Sequence, residues 1–162
     1  MILNIFDGAM LDIILRLFVA VLLGMIIGTE RVWAHKTAGM RTYALVSMGA
    51  ALFIIISEVI VSRYMGIGGF DPTRIASQIV VGIGFLGAGS IMLQGSQLKG
   101  LTTASGLWVA AGIGMAAGLG LFSIAVVATL MTLFIFMVLW YIEARLKKTK
   151  YFAENNNSEE IK

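Results

Sequence analysis

Hydrophobic positions in this chain run in long blocks instead of alternating, and short polar stretches divide one block from the next. Five apolar segments stand out, at about 9–28, 43–61, 72–93, 101–118 and 121–142. Crossing a hydrocarbon core ~30 Å thick takes ~17–25 apolar residues in a helix, and each block has that length. The third block shows how such an element is written. Asp71 can accept from the free N–H groups of a first turn, Pro72 suits the first helical position, and after Arg74 no formal charge appears until Lys99. The pattern predicts an all-α integral membrane fold. Residues 1–142 form one five-helix transmembrane domain, and 143–162 form a short tail, basic at first and then polar and disordered.

Small residues recur every four positions within these blocks. Ala20, Gly24 and Gly28 do so in the first segment, and Gly106, Ala110, Gly114 and Gly118 in the fourth. That spacing sets each ladder on one helix face, where bare backbone admits a close neighbour. Gly82, Gly84, Gly87 and Gly89 give the third segment the same capacity. Tight packing within the chain and a homodimer seam are both open readings of these faces. The letters Gly82-Ile-Gly84-Phe-Leu-Gly87 match a dinucleotide-binding fingerprint. That chemistry needs a strand, a turn and a helix start, whereas these glycines lie inside a helix already begun at Asp71, so no nucleotide site is expected. Gly118-Leu119-Gly120 leaves almost no polar loop, and the last two segments are therefore expected to form a helical hairpin.

Composition agrees with the pattern. Of 162 residues 59% are hydrophobic and 13% charged, against about 45–50% and ~25% for soluble domains. With no cysteine, disulfides and thiolate chemistry are excluded. A net charge of +3 does not point to nucleic acid, because the basic residues sit at the ends of apolar runs. Arg31, Lys36, Arg41, Lys99, Arg145, Lys147, Lys148, Lys150 and Lys162 fall on one predicted side, Arg63 and Arg74 on the other. The positive-inside rule then places the N-terminus outside and the C-terminus in the cytoplasm, which requires an odd number of spans. Trp33 and Tyr43, Tyr64, and Trp140 with Tyr141 fall where interfacial aromatic belts belong. The first segment lacks a basic leader and a small-residue cleavage site, so it is expected to be retained.

Ionisable groups inside such segments carry information, because a charge at mid-bilayer costs at least ~2.5–3.5 kcal/mol. Arg16 lies about 10 Å into the first segment by helix rise, and Asp12 precedes it by one helical turn in the favourable acid-first order. Asp12, Arg16, Glu58, Asp71 and Arg74 all map to the outer half. Pairing of Arg16 with Glu58 in the bundle interior is one expectation; snorkelling of Arg16 to the surface is the other. Ser77, Gln78, Ser90, Gln94, Thr102, Thr103 and Ser105 are expected to bridge helices by hydrogen bonds, the alternative being that they line a hydrated path. His35 is the only histidine and no serine has an evident base beside it, so neither catalysis nor a cofactor is predicted. Asp12, Glu58 and Asp71 could at most form a loose outer carboxylate site for Mg²⁺.

Four stretches, LLGMIIGTER at 22–31, AGMRTYALVSMGAALF at 38–53, DPTRIASQIVVGIGFLGAGSI at 71–91 and KGLTTASGLWVAAGIGMAAGLG at 99–120, resemble the membrane domain of the MgtC/SapB family. The resemblance implies a multi-pass protein of the bacterial inner membrane with about five helices. It links the chain to magnesium limitation, acid stress and, in pathogens, virulence. It implies one of two activities: regulation of partner membrane proteins, the proton-driven ATP synthase among them, or magnesium transport by a homo-oligomer. The positions it marks are Glu30, Arg31, Arg41, Asp71, Arg74, Gln78, Thr102 and Thr103. Longer members add a cytoplasmic C-terminal domain, and this chain resembles the short form. The partners to expect are the lipid bilayer, other membrane proteins and further copies of the chain, with no nucleic acid.

Overall fold

A computed structural model describes residues 8–64 and 73–146. Helix α1 spans Gly8–Trp33, α2 Met40–Tyr64, α3 Thr73–Gly89 and α4 Leu101–Gly118. Helix α5 opens as Phe122–Phe134, passes through a π-helical stretch at Ile135–Leu139 and continues to Leu146. Four of these, α1, α2, α4 and α5, are long and apolar enough to cross a membrane, and α3 is a shorter apolar helix of 17 residues. The fold is all-α and multi-pass.

The third segment departs from expectation. A helix was predicted as far as residue 93, but α3 stops at Gly89 and a β-hairpin follows, β1 Met92–Gln94 paired with β2 Gln97–Lys99. Gly95 opens the two-residue loop at φ 64°. A left-handed first position followed by an ordinary residue is the type II′ arrangement, which matches the right-handed twist of the strands. The hairpin carries the chain directly into α4. Asp71 and Pro72, expected to start α3, lie outside the described residues.

Helices α1, α2 and α4 pack with almost no side chain between them. A Cβ at Gly24 would lie 2.5 Å from the Tyr43 carbonyl oxygen, and one at Gly28 2.5 Å from Met40 Cα. From the other side, a Cβ at Gly114 would run into the Ser47 backbone, and one at Gly118 would lie 2.8 Å from the Ala51 carbonyl oxygen. Helix α2 thus presents Tyr43, Ser47 and Ala51, one turn apart, to glycines on two neighbours. All three are fully buried. Apolar residues of α1, α4 and α5, among them Ala20, Ile27, Ala110, Ile113, Ala125 and Phe136, complete the core around this seam. Helix α4 ends in the expected hairpin turn: Leu121 N–H bonds the Ala116 carbonyl, and Gly120 takes φ 73°.

Helix α3 sits differently. Of its four glycines only Gly87 meets a neighbour, Ala104 of α4, at ordinary contact distance. Gly82, Gly84 and Gly89 have nothing within 4 Å of where a Cβ would stand. A groove of about 510 Å³ separates the outer part of α3 from α2, with Gln78 on its wall among apolar side chains.

Candidate functional site

Two arginines on α1 organise the polar chemistry, one near each end of the bundle. Helix geometry puts them on related faces, since fifteen residues is close to four turns. Their surroundings differ.

Near the N-terminal end of α1, Arg16 donates to Glu58 Oε2 at 2.7 Å and forms an ion pair with Asp12 Oδ2, also at 2.7 Å. It donates further to the Gly118 carbonyl at 3.0 Å, one of the orphan acceptors at the C-terminus of α4. One guanidinium therefore ties α1, α2 and α4. The pair with Glu58 forms, but not in the interior: the Arg16 side chain is 18% exposed and that of Glu58 55%. This is a rim contact, because Glu58 stands near the end of α2 and reaches inward to Arg16. Both candidate metal carboxylates of the described residues, Asp12 and Glu58, commit an oxygen to Arg16. The third, Asp71, lies outside the described residues.

At the opposite end Arg31 is 3% exposed. Its Nε donates to Glu30, whose side chain is 12% exposed, and its guanidinium carbon lies 3.6 Å from the centroid of Phe136. A planar, weakly hydrated guanidinium suits such stacking on an aromatic face. Phe136 occupies the π-helical stretch of α5, and its other neighbour is Gly106, where a Cβ would lie 2.8 Å from Phe136 Cζ. A π-bulge rotates the residues after it relative to a plain α-helix, and such bulges cluster at functional positions. Here it occurs where α5 meets α1 and α4. Tyr43 joins the same layer, its hydroxyl 3.5 Å from the Thr103 carbonyl oxygen.

The other marked residues are scattered. Thr103 is buried beside Tyr43, while Thr102, Arg41 and Arg74 face out of the bundle and Gln78, also exposed, lies on the wall of the groove between α2 and α3. Among the described residues the three expected serines do not bridge helices. Ser77, Ser90 and Ser105 each donate to a carbonyl of their own preceding turn, those of Arg74, Gly87 and Leu101, because that acceptor is always within reach in a helix. Reasoning from sequence set Tyr43 in an interfacial belt, whereas it is fully buried in the seam, and missed Ser47 and Phe136. The one available signal was the four-residue spacing Tyr43–Ser47–Ala51, which matches the glycine ladders it packs against. Among the described residues no three acidic or histidine side chains gather as metal ligands.

The chain has clear relatives. A family model described as the MgtC family matches residues 17–145. "Putative magnesium transporter YhiD" of Escherichia coli (strain K12) is 39% identical over 145 residues, covering 88% of this chain and 67% of its own length. "Protein MgtC" of Salmonella typhimurium is 44% identical over 145 residues, covering 90% of this chain and 60% of its own. A protein of Synechocystis sp. is 48% identical over 120 residues, 74% of this chain and 49% of its own. The chain thus spans about half to two thirds of the length of these curated relatives. No solved structure matches it.

Proposed function

The chain belongs to the MgtC family, and from that premise we propose that it is a non-enzymatic protein of the bacterial inner membrane that serves magnesium homeostasis by docking other membrane proteins and altering their ion or proton handling. The basic end, with Arg31, Lys36, Arg41 and Lys99, faces the cytoplasm. The observation that carries the reading is the outward backbone of α3. Gly84 faces away from the chain, and Gly82 and Gly89 open onto grooves beside α2 with nothing within 4 Å of a Cβ position. By contrast, Gly24, Gly28, Gly106, Gly114 and Gly118 of α1 and α4 are spent on intramolecular contact. In lipid, apolar surface alone does not draw helices together; bare backbone and dispersion contact do. A partner helix laid along α3 gains the close approach that α4 already makes to α2.

The charged residues argue in the same direction. A conducting path for Mg²⁺ needs oxygen ligands along its length, and the ion gives up its waters reluctantly. Asp12 and Glu58 are held by Arg16 at the rim, and the layer beneath them is closed by Ala51, Gly114 and Gly118 packed backbone to backbone.

A second reading, transport of Mg²⁺ by a homo-oligomer, rests on the name of YhiD and on the carboxylates that several copies would bring to one rim. Purified protein in liposomes separates the two. The docking reading expects no Mg²⁺ or H⁺ flux above protein-free vesicles, together with co-purification of a partner from native membranes. Flux that is abolished by Glu58→Ala would establish transport instead.

A further inference from the structure

Where α1 and α5 end at the basic face, they enclose a cleft of about 460 Å³ lined by Glu30, Trp33, His35, Phe136, Trp140 and Tyr141. We propose that this cleft binds the headgroup of an amine-bearing phospholipid of the phosphatidylethanolamine type. Its ammonium sits against Glu30 and the rings of Trp33 and Trp140, and its phosphate lies toward His35 and Arg145.

Three observations converge on a ligand of that chemistry. The first is the wall. The lining combines four aromatic rings with a mostly buried carboxylate, and since Arg31 lies over Phe136 and Arg145 over Tyr141, Trp33 and Trp140 are the rings that offer a face to a further cation. Glu30 gives Oε2 to Arg31, so the charge on that side is already balanced and a neutral, zwitterionic headgroup fits better than a bare cation.

The second is the rim. Arg145 lies over the Tyr141 ring at 4.9 Å from the centroid and donates to its hydroxyl, which sets a guanidinium beside the cleft. Guanidinium and imidazole N–H groups at the membrane interface are phosphate donors.

The third is the backbone. Helix α1 closes with a Schellman motif: Lys36 N–H bonds the Arg31 carbonyl and His35 N–H bonds the Val32 carbonyl. The left-handed position of that motif is ordinarily glycine, yet here it is His35 at φ 53°, the one non-glycine residue with positive φ among the described residues. Glycine would hold that conformation at lower cost. The strain is borne by a side chain that lines the cleft, and strain of this kind marks functional positions.

The test uses the full-length chain, purified and delipidated, then exposed to mixed micelles holding equal fractions of phosphatidylethanolamine and phosphatidylglycerol. Native mass spectrometry counts the lipids retained. One phosphatidylethanolamine per chain is expected, favoured about tenfold over phosphatidylglycerol, with Trp140→Ala cutting that preference at least about fivefold. Trp140 is well exposed, so its loss leaves the fold intact. His35→Gly adds a readout that a purely structural role would not give: thermal stability in detergent rises while lipid retention falls. Soluble phosphoethanolamine should not compete at equal concentration, because the acyl chains hold the headgroup at the interface. Equal retention of the two lipids, or a preference unchanged in Trp140→Ala and His35→Gly, would overturn the proposal. Displacement of the lipid by a lysine-rich peptide with no lipid preference of its own would reassign the cleft to a protein partner.

Discussion

Glycines 106, 114 and 118 of α4 and glycines 82, 84 and 89 of α3 are the same residue in equally apolar helices, and they do opposite things. The first set is walled in by Tyr43, Ser47, Ala51 and Phe136, so that a single methyl group would collide with backbone or ring. In the second set no atom of the chain lies within 4 Å of where a Cβ would stand. The contrast follows from what lies opposite. Helix α2 answers α4 with a register of carbonyls and small side chains one turn apart, whereas it answers α3 with Leu45, Val46 and Phe53 across a groove. A glycine ladder by itself therefore specifies permission for close approach, and the facing helix decides whether the approach occurs within the chain. The seam of α1, α2 and α4 is the scaffold, and α3 is the face we propose for other molecules.

The largest effect should come from closing the permission where it is used. Gly114→Ala places a methyl group into the Ser47 backbone, which no rotamer change can relieve. Overpacking usually costs ~1–3 kcal/mol, and a collision with backbone belongs at or beyond the top of that range. Thermal unfolding in detergent should show a marked drop in midpoint and in yield. An unchanged midpoint would mean that the seam is looser than described.

Next in size is the buried end of the seam. Arg31→Ala removes the partner of Glu30 and the stacking on Phe136, leaving a mostly buried carboxylate unpaired. Breaking a fully buried pair from one side costs about 3–5 kcal/mol, but Glu30 keeps some contact with solvent, so the loss here should fall below that range and below the Gly114→Ala effect. The double variant Arg31→Met with Glu30→Gln should regain much of the loss, because no unpaired charge remains. Should the double variant unfold as readily as Arg31→Ala, charge burial is not the cause.

How much of this was legible beforehand depends on the range of the interaction concerned. Four of the five segments became spanning helices, since hydropathy is a local property and the bilayer demands it of every crossing. The ladder Gly106–Ala110–Gly114–Gly118 was legible for the same reason: its period lies within one helix. Segment three was misread beyond Gly89 because Ile91, Met92 and Leu93 prolong the hydropathy that the Gly95-Ser96 turn then interrupts. The turn signal was present, and the apolar run outweighed it. The layer formed by Arg31, Phe136, Gly106 and Tyr43 was not legible. It joins positions up to about a hundred residues apart and depends on a π-helical stretch that leaves no mark in composition. Arg16 and Glu58 were accessible only because a charge within an apolar run requires a partner.

That rim pair is the third test and a smaller one. Glu58 and Asp12 are about half exposed, and ion pairs of this exposure contribute ~1 kcal/mol or less. Arg16→Ala loses in addition the hydrogen bond to the Gly118 carbonyl, so it should cost slightly more than Glu58→Ala. A double-mutant cycle should return a coupling of a few tenths of a kcal/mol to ~1 kcal/mol. Strict additivity would show the two residues acting independently.

The smallest effect on stability should have the opposite sign. Gly84 is in a regular helical turn with open space at its Cβ position, so Gly84→Ala gains helix propensity without a clash, worth up to ~1 kcal/mol in the isolated protein. If α3 is the docking face, the same methyl group holds a partner helix away from the backbone. Crosslinking capture from native membranes should then fall in Gly84→Ala while the purified variant is as stable as the parent or more so. The contrast with Gly114→Ala is the point: one alanine should cost the fold, and the other should cost only the company the fold keeps. Capture unchanged in Gly84→Ala, Gly82→Ala and their combination would remove α3 as the interface and leave its open glycines facing lipid alone.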